Sequence, residues 1–150
     1  RSSAVKQEDL ERDHGDMWQA VDSIFSGQKA ESPEVIMRAR FTALKFKDPN
    51  FLAATELDED KRELKERADQ WAVTLGLKDK SPFDFIVRLG VTTDSLAQAQ
   101  SFEVVSTSGN WVEFKIRCAD GKTLHEKSLF KEDKKWGYVY SGESEFGSWE

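Results

Sequence analysis

The chain has 150 residues, 38% hydrophobic and 11% aromatic, and its 28 acidic against 22 basic side chains give a net charge of −6. That length suits one domain around one core, no apolar run approaches the ~20 residues of a membrane helix, and an acidic balance without a basic block lacks the electrostatic footprint of a nucleic-acid binder. One cysteine, Cys118, and two histidines far apart in sequence, His14 and His125, cannot make an internal disulfide and argue against a structural zinc site, so no metal or cofactor is expected.

Residues 8–26, EDLERDHGDMWQAVDSIFS, place Leu10, Met17, Trp18, Val21, Ile24 and Phe25 at three- and four-residue spacings. That spacing predicts an amphipathic helix, weakened at Gly15. After the polar break GQKAES, Ser32 as N-cap, Pro33 at the first helical position and Glu34 in the first turn begin a second helix running to about Phe46. KDPN ends it, because the residue before a proline is pushed out of the helical region. FLAATEL is a short segment, and DEDKRELKERADQWAVTLGL predicts a third helix with Leu64, Ala68, Trp71, Ala72 and Leu75 on one face. From Phe83 the period moves towards two: FDFIVRLGV alternates as a half-buried strand does, with a short helix as the alternative. SFEVVS, NWVEFKIRC, KTLHEKSLFK and KWGYVYS follow, joined by TSGN, ADGK and EDKK, the turn chemistry of hairpins. The tail GESEFGSWE reads as loop apart from Phe146 and Trp149. The expected fold class is α+β, with N-terminal helices packed on a curved antiparallel β-sheet.

Two blocks carry a resemblance. SPEVIMRARFTALKFKDPNFLAATE is similar to the opening of the YchJ-like middle domain of the nuclear transport factor 2-like superfamily, through Met37, Arg38, Arg40, Phe41, Thr42, Ala43, Asp48, Phe51, Leu52 and Thr55. WVEFKIRCADGKTLHEKSLFKEDKKWGYVYSG resembles its closing block, through Val112, Glu113, Phe114, Gly121, His125, Glu126, Ser128, Phe130, Trp136, Tyr138 and Gly142. The resemblance implies a cone-shaped α+β domain over residues 31–142, preceded by an amphipathic helical extension, residues 1–30, and followed by a C-terminal tail, residues 143–150. Bacterial members flank this domain with cysteine-rich zinc-binding SEC-C motifs. This sequence has none, so zinc is not carried over.

Alternation along the third strand separates His125 from Glu126. A base and its orienting carboxylate must lie within about 3 Å, so the two are not expected to form a catalytic dyad. The row Val112, Phe114, Ile116 and Cys118 makes Cys118 a small core residue. Glu126 shares a face with Phe130 and is expected inside the cone, where a buried carboxylate needs a cation. Arg40, or failing it Arg38, is the expected partner in a pocket ion pair. Trp136, Tyr138 and Tyr140, with Trp111 and Trp149, exceed what one core readily buries, and are candidates for partner binding with Trp18, Val21, Ile24 and Phe25 of the first helix. That helix is expected either to cap the cone or to dock on a partner, and its removal to leave a folded domain.

The expected function is therefore a non-catalytic protein-interaction module, an accessory subunit of a larger assembly. The alternative is a small-molecule-binding or catalytic cone using the interior Glu/Arg pocket. The start at Arg1 rather than Met leads to the expectation of a processed or trimmed N-terminus. Together with the resemblance to a domain without its zinc motifs, this implies a plastid protein, with a stromal subunit peripheral to a thylakoid photosystem as the concrete version and the cytoplasm as the alternative location.

Overall fold

The computed structural model describes residues 2–79 and 94–150. The strand or helix expected at 83–91 lies outside them. Helix α1 spans Gln7–His14, a 3-10 turn covers Gly15–Met17, and α2 spans Trp18–Phe25. The single helix expected here is broken at Gly15, whose φ of 55° is one that glycine adopts at no Cβ penalty. The break does not free the segment. Leu10, Val21 and Ile24 are fully buried and belong to the same apolar cluster as Ile36, Phe41 and Phe114. Residues 7–25 thus contribute Leu10, Val21 and Ile24 to that one core.

Helix α3 spans Pro33–Lys45, capped by Ser32, whose Oγ accepts from the Val35 amide at 3.3 Å. The stop at KDPN lies where expected. Lys47 takes a φ of 59°, and Asp48 accepts from the Phe51 amide at 3.1 Å to open the short α4, Pro49–Ala54. Helix α5, Leu64–Thr74, is shorter at both ends than the predicted element. Arg62 binds the Asp58 carboxylate at 2.9 Å in the loop before it, and Leu64 is exposed instead of facing the core. A 3-10 turn at Asp94–Gln98 leads into the sheet.

Four strands, β1 Ala99–Ser108, β2 Trp111–Cys118, β3 Thr123–Asp133 and β4 Gly137–Trp149, form an antiparallel meander in sequence order. Register shifts interrupt the β1–β2 and β3–β4 ladders, and such bulges bend a sheet and raise its twist. The result is the expected α+β arrangement with a curved sheet. β4 continues to Trp149, opposite Leu124, so the tail expected to be loop is strand; Gly142 and Gly147 had diluted its alternation. Val112, Phe114, Ile116 and Cys118 form the buried row of β2, and α3 lies across β1, β2 and β4. Phe41, Phe102 and Phe114 stack in series, with ring centroids 5.1 and 5.7 Å apart. Truncating a ring in such a stack costs about 3–5 kcal/mol.

Candidate functional site

α3 carries Arg40 into the interior, where it is 5% exposed. Its Nη1 donates to the Leu52 carbonyl and to Thr55 Oγ1, both at 2.8 Å, at the end of α4. Carbonyls of a last helical turn have no partner within the helix, so this cation completes α4. Nη2 lies 3.5 Å from Glu56 Oε2. Glu56 is fixed by β4: the Tyr140 amide donates to the Thr55 carbonyl at 2.9 Å and the Leu57 amide to the Tyr140 carbonyl at 2.8 Å, a single parallel bridge. The Trp71 indole N–H donates to Glu56 Oε1 at 2.7 Å. The guanidinium carbon stands 5.5 Å from the Tyr140 ring centroid and 6.0 Å from that of Trp71, within cation–π range. Burial pulls Arg40 below its ordinary value, and Glu56 opposes this most.

Beyond Tyr140 runs a row of hydroxyls. Ser144 Oγ lies 2.9 Å from the Tyr140 hydroxyl and 3.1 Å from Ser128 Oγ, and donates to Glu126 Oε1 at 3.4 Å. One proton and two lone pairs on Ser144 satisfy this set. Burial raises the Glu126 carboxyl, against the Ser128 and Ser144 hydroxyls and then Arg40. Glu126 is half-buried on the face it shares with Phe130, but the expected ion pair with Arg40 is not formed. Among the described residues Glu126 has no ion pair, and the carboxylate of Arg40 is Glu56. The reason is where α3 aims: the guanidinium meets the end of α4, and Tyr140 stands between it and Glu126 in the chain of contacts. Arg38 does not serve either. It pairs with Glu34 at 2.8 Å, lies over the Phe102 ring at 5.5 Å and approaches His14 Nδ1 at 3.4 Å. Every buried side-chain nitrogen and oxygen among the described residues has a hydrogen-bond partner. No group of three or more His, Cys, Asp or Glu among them is placed to hold a metal ion.

His125 lies on the opposite face from Glu126. Its Nε2 is 2.8 Å from Glu113 Oε2, a diagonal neighbour across β2 and β3, and its ring meets Phe146 edge-on at 5.0 Å. The His125 contact holds Glu113 below the usual carboxylate range. Cys118 sits in the core row, and burial raises its thiol.

Outside the core, the end of α2, the α3–α4 junction and the β3–β4 turn enclose an open cleft of about 640 Å³. Phe25, Phe46, Phe51 and Trp136 form its apolar surface. Phe25 and Phe51 pack at 4.7 Å, Phe51 and Trp136 edge-on at 5.4 Å, and Lys135 Nζ stands 5.0 Å over the Trp136 ring. Two of the expected partner-binding aromatics, Phe25 and Trp136, meet here. The others do not join them. Of the aliphatic candidates, Val21 is core, whereas Ile24, itself buried, lines the cleft beside Phe25. Trp18 is half-buried against the core, as is Trp149, which pairs with Leu124. Trp111 lies under Lys127 at 5.7 Å, Tyr138 faces Glu132 across β3 and β4, and Tyr140 belongs to the interior. Glu56, Trp71, Ser144, Phe46 and Phe51 were missed as site residues. The signal for two of them was present, since a buried indole N–H demands an acceptor and Glu56 directly follows the matched Thr55.

No helix among the described residues is long and apolar enough to cross a membrane. Comparison with curated proteins and with solved structures gave no significant match. Comparison with protein families matched residues 32–141, from the N-cap of α3 into β4, to the YchJ middle NTF2-like domain, and matched no other domain. With most of its length covered, in the order of helices and strands described above, the chain belongs to the family of YchJ middle NTF2-like domains.

Proposed function

We propose that this protein is a non-catalytic protein-interaction module, an accessory subunit of a larger assembly. The observation that carries the reading is the contrast between inside and outside. Arg40, Glu56, Trp71 and Tyr140 satisfy one another, whereas the aromatic cleft at Phe25, Phe46 and Trp136, with buried Phe51 as its floor, opens to solvent and is large enough for one or two large side chains. The assembly in its concrete form is a thylakoid photosystem with this chain on the stromal side. Gel filtration of native extract, with detection of this chain, tests the reading: elution with a larger complex supports it, and elution as a monomer ends it.

A second reading, a ligand-binding or catalytic cone, draws on Glu126, a half-buried carboxyl raised by desolvation and joined by hydroxyls to Tyr140. Perturbed acids of this kind occur at active sites and in structural networks alike. Glu126→Gln separates the two, since an accessory subunit keeps its place in the complex with this substitution and a pocket acid loses its ligand or activity.

A further inference from the structure

The lining of the aromatic cleft carries more cationic than anionic side chains. Its lining includes two lysines, Lys47 and Lys135, against one aspartate, Asp48. That carboxylate is engaged, capping α4 through the Phe51 amide. Lys47 Nζ donates to the carbonyls of Leu75 at 2.9 Å and Ala97 at 2.7 Å, neither of which lines the cleft, and no carboxylate pairs with it among the described residues. At the β3–β4 turn, Asp133 accepts from the Lys135 and Trp136 amides at 2.9 and 2.8 Å. This directs its carboxylate into the turn and leaves Lys134 and Lys135 exposed at the rim, without an ion pair among the described residues. The Ala30 amide donates to the Trp136 carbonyl at 2.8 Å, which brings exposed Lys29 and exposed Glu31, on either side of Ala30, to the same turn. On a chain of net charge −6, Lys134 and Lys135 are thus the exposed, unpaired cations that the turn sets beside this apolar floor.

The geometry points to this cleft as the docking site for an extended or helical peptide segment of a protein partner, with a large apolar or aromatic anchor flanked by acidic residues. The inference rests on the interaction reading above and names the surface and the partner chemistry. A volume of about 640 Å³ admits one or two large side chains. Aromatic walls supply the contact area that dominates interface energetics. Unpaired lysines at the rim steer an acidic segment and fix its register. Lys135 over Trp136 can also leave the ring for a carboxylate as an aromatic anchor takes its place.

The test uses the full chain and a phage-displayed random peptide library. Selection should enrich peptides with an aromatic or large aliphatic residue next to Asp or Glu. A synthetic peptide of the enriched sequence should lose about tenfold or more in affinity against Lys134→Glu/Lys135→Glu, two exposed positions whose reversal leaves the fold intact, and should bind more weakly as salt rises. Enrichment of peptides without acidic residues, no enrichment at all, or binding indifferent to the double reversal would each overturn the proposal. Native extract separates this failure from that of the broader reading. If wild type elutes in an assembly and the double variant elutes there unchanged, the cleft is not the docking site although the module reading stands. If wild type elutes as a monomer, the broader reading fails.

Discussion

Arg40→Met keeps an apolar stem of similar reach and deletes the guanidinium. The loss comprises two hydrogen bonds from a charged donor, to Leu52 and Thr55, and the contact with Glu56, whose side chain is 16% exposed. Hydrogen bonds to charged groups contribute about 1.5–3 kcal/mol each. Glu56 keeps the Trp71 indole as a donor, which softens the loss, and breaking a buried pair from one side costs about 3–5 kcal/mol. We adopt that range, a large share of the 5–15 kcal/mol typical of a domain. Urea unfolding followed by circular dichroism measures it, and a double-mutant cycle assigns it. Arg40→Met with Glu56→Gln should give a coupling of about 1–3 kcal/mol, whereas Arg40→Met with Glu126→Gln should be additive to within about 0.5 kcal/mol. A larger coupling to Glu126 than to Glu56 would refute the assignment of the pair.

Deleting residues 1–30 removes Leu10, Val21 and Ile24 from the core; at about 2–5 kcal/mol for each large aliphatic side chain truncated in a core, the remainder should show no cooperative unfolding transition, and a folded 31–150 fragment would contradict this. Gly137→Ala should cost more than about 2 kcal/mol, because Gly137 has a φ of 85° and a Cβ there would overlap the Ala30 backbone. Gly121→Ala, at a φ of 89° with open space around it, should cost only about 1–2 kcal/mol of backbone strain, so equal losses at the two sites would show the close approach to Ala30 to be unimportant. His14 sits between Thr42 and Arg38, and burial lowers it from 6.5 to about 3. The unfolded chain therefore binds a proton that the native state refuses, and stability falls as pH drops from 6.5 towards 3. Urea midpoints across that window should fall less steeply for His14→Gln than for wild type, and parallel profiles would exclude His14 as the cause.

The parts of the fold that sequence made legible are those where local chemistry and tertiary packing agree. Ser32, Pro33 and the KDPN stop bound α3 where the caps predict, and the alternation in β2 marks its buried row. Reading failed where periodicity was diluted or where partners lie far apart. Gly142 and Gly147 hid the second half of β4, and Gly15 broke a helix that hydrophobic spacing made continuous. The stripe Val21 and Ile24 was correctly apolar, but spacing does not say whether such a stripe meets its own core or another protein. Alternation sets Glu126 on the face of Phe130, where it is half-buried. Its expected partner was wrong because the nearer carboxylate, Glu56, is delivered by a one-residue bridge to Tyr140 that no periodic pattern encodes. The cleft, likewise, is assembled from four separate segments, and of its lining only Ile24, Phe25 and Trp136 are candidates that the sequence singles out.

The proposed contact with another protein lies on the outer cleft. Asn50 lines that cleft and is exposed, so a photo-reactive benzoylphenylalanine in its place samples the site without disturbing the core. Irradiation in the native cell should yield a discrete adduct heavier than the chain, lost when Lys134→Glu/Lys135→Glu is present in the same chain. An adduct absent from position 50 but formed from exposed Arg117 on the sheet would contradict the account.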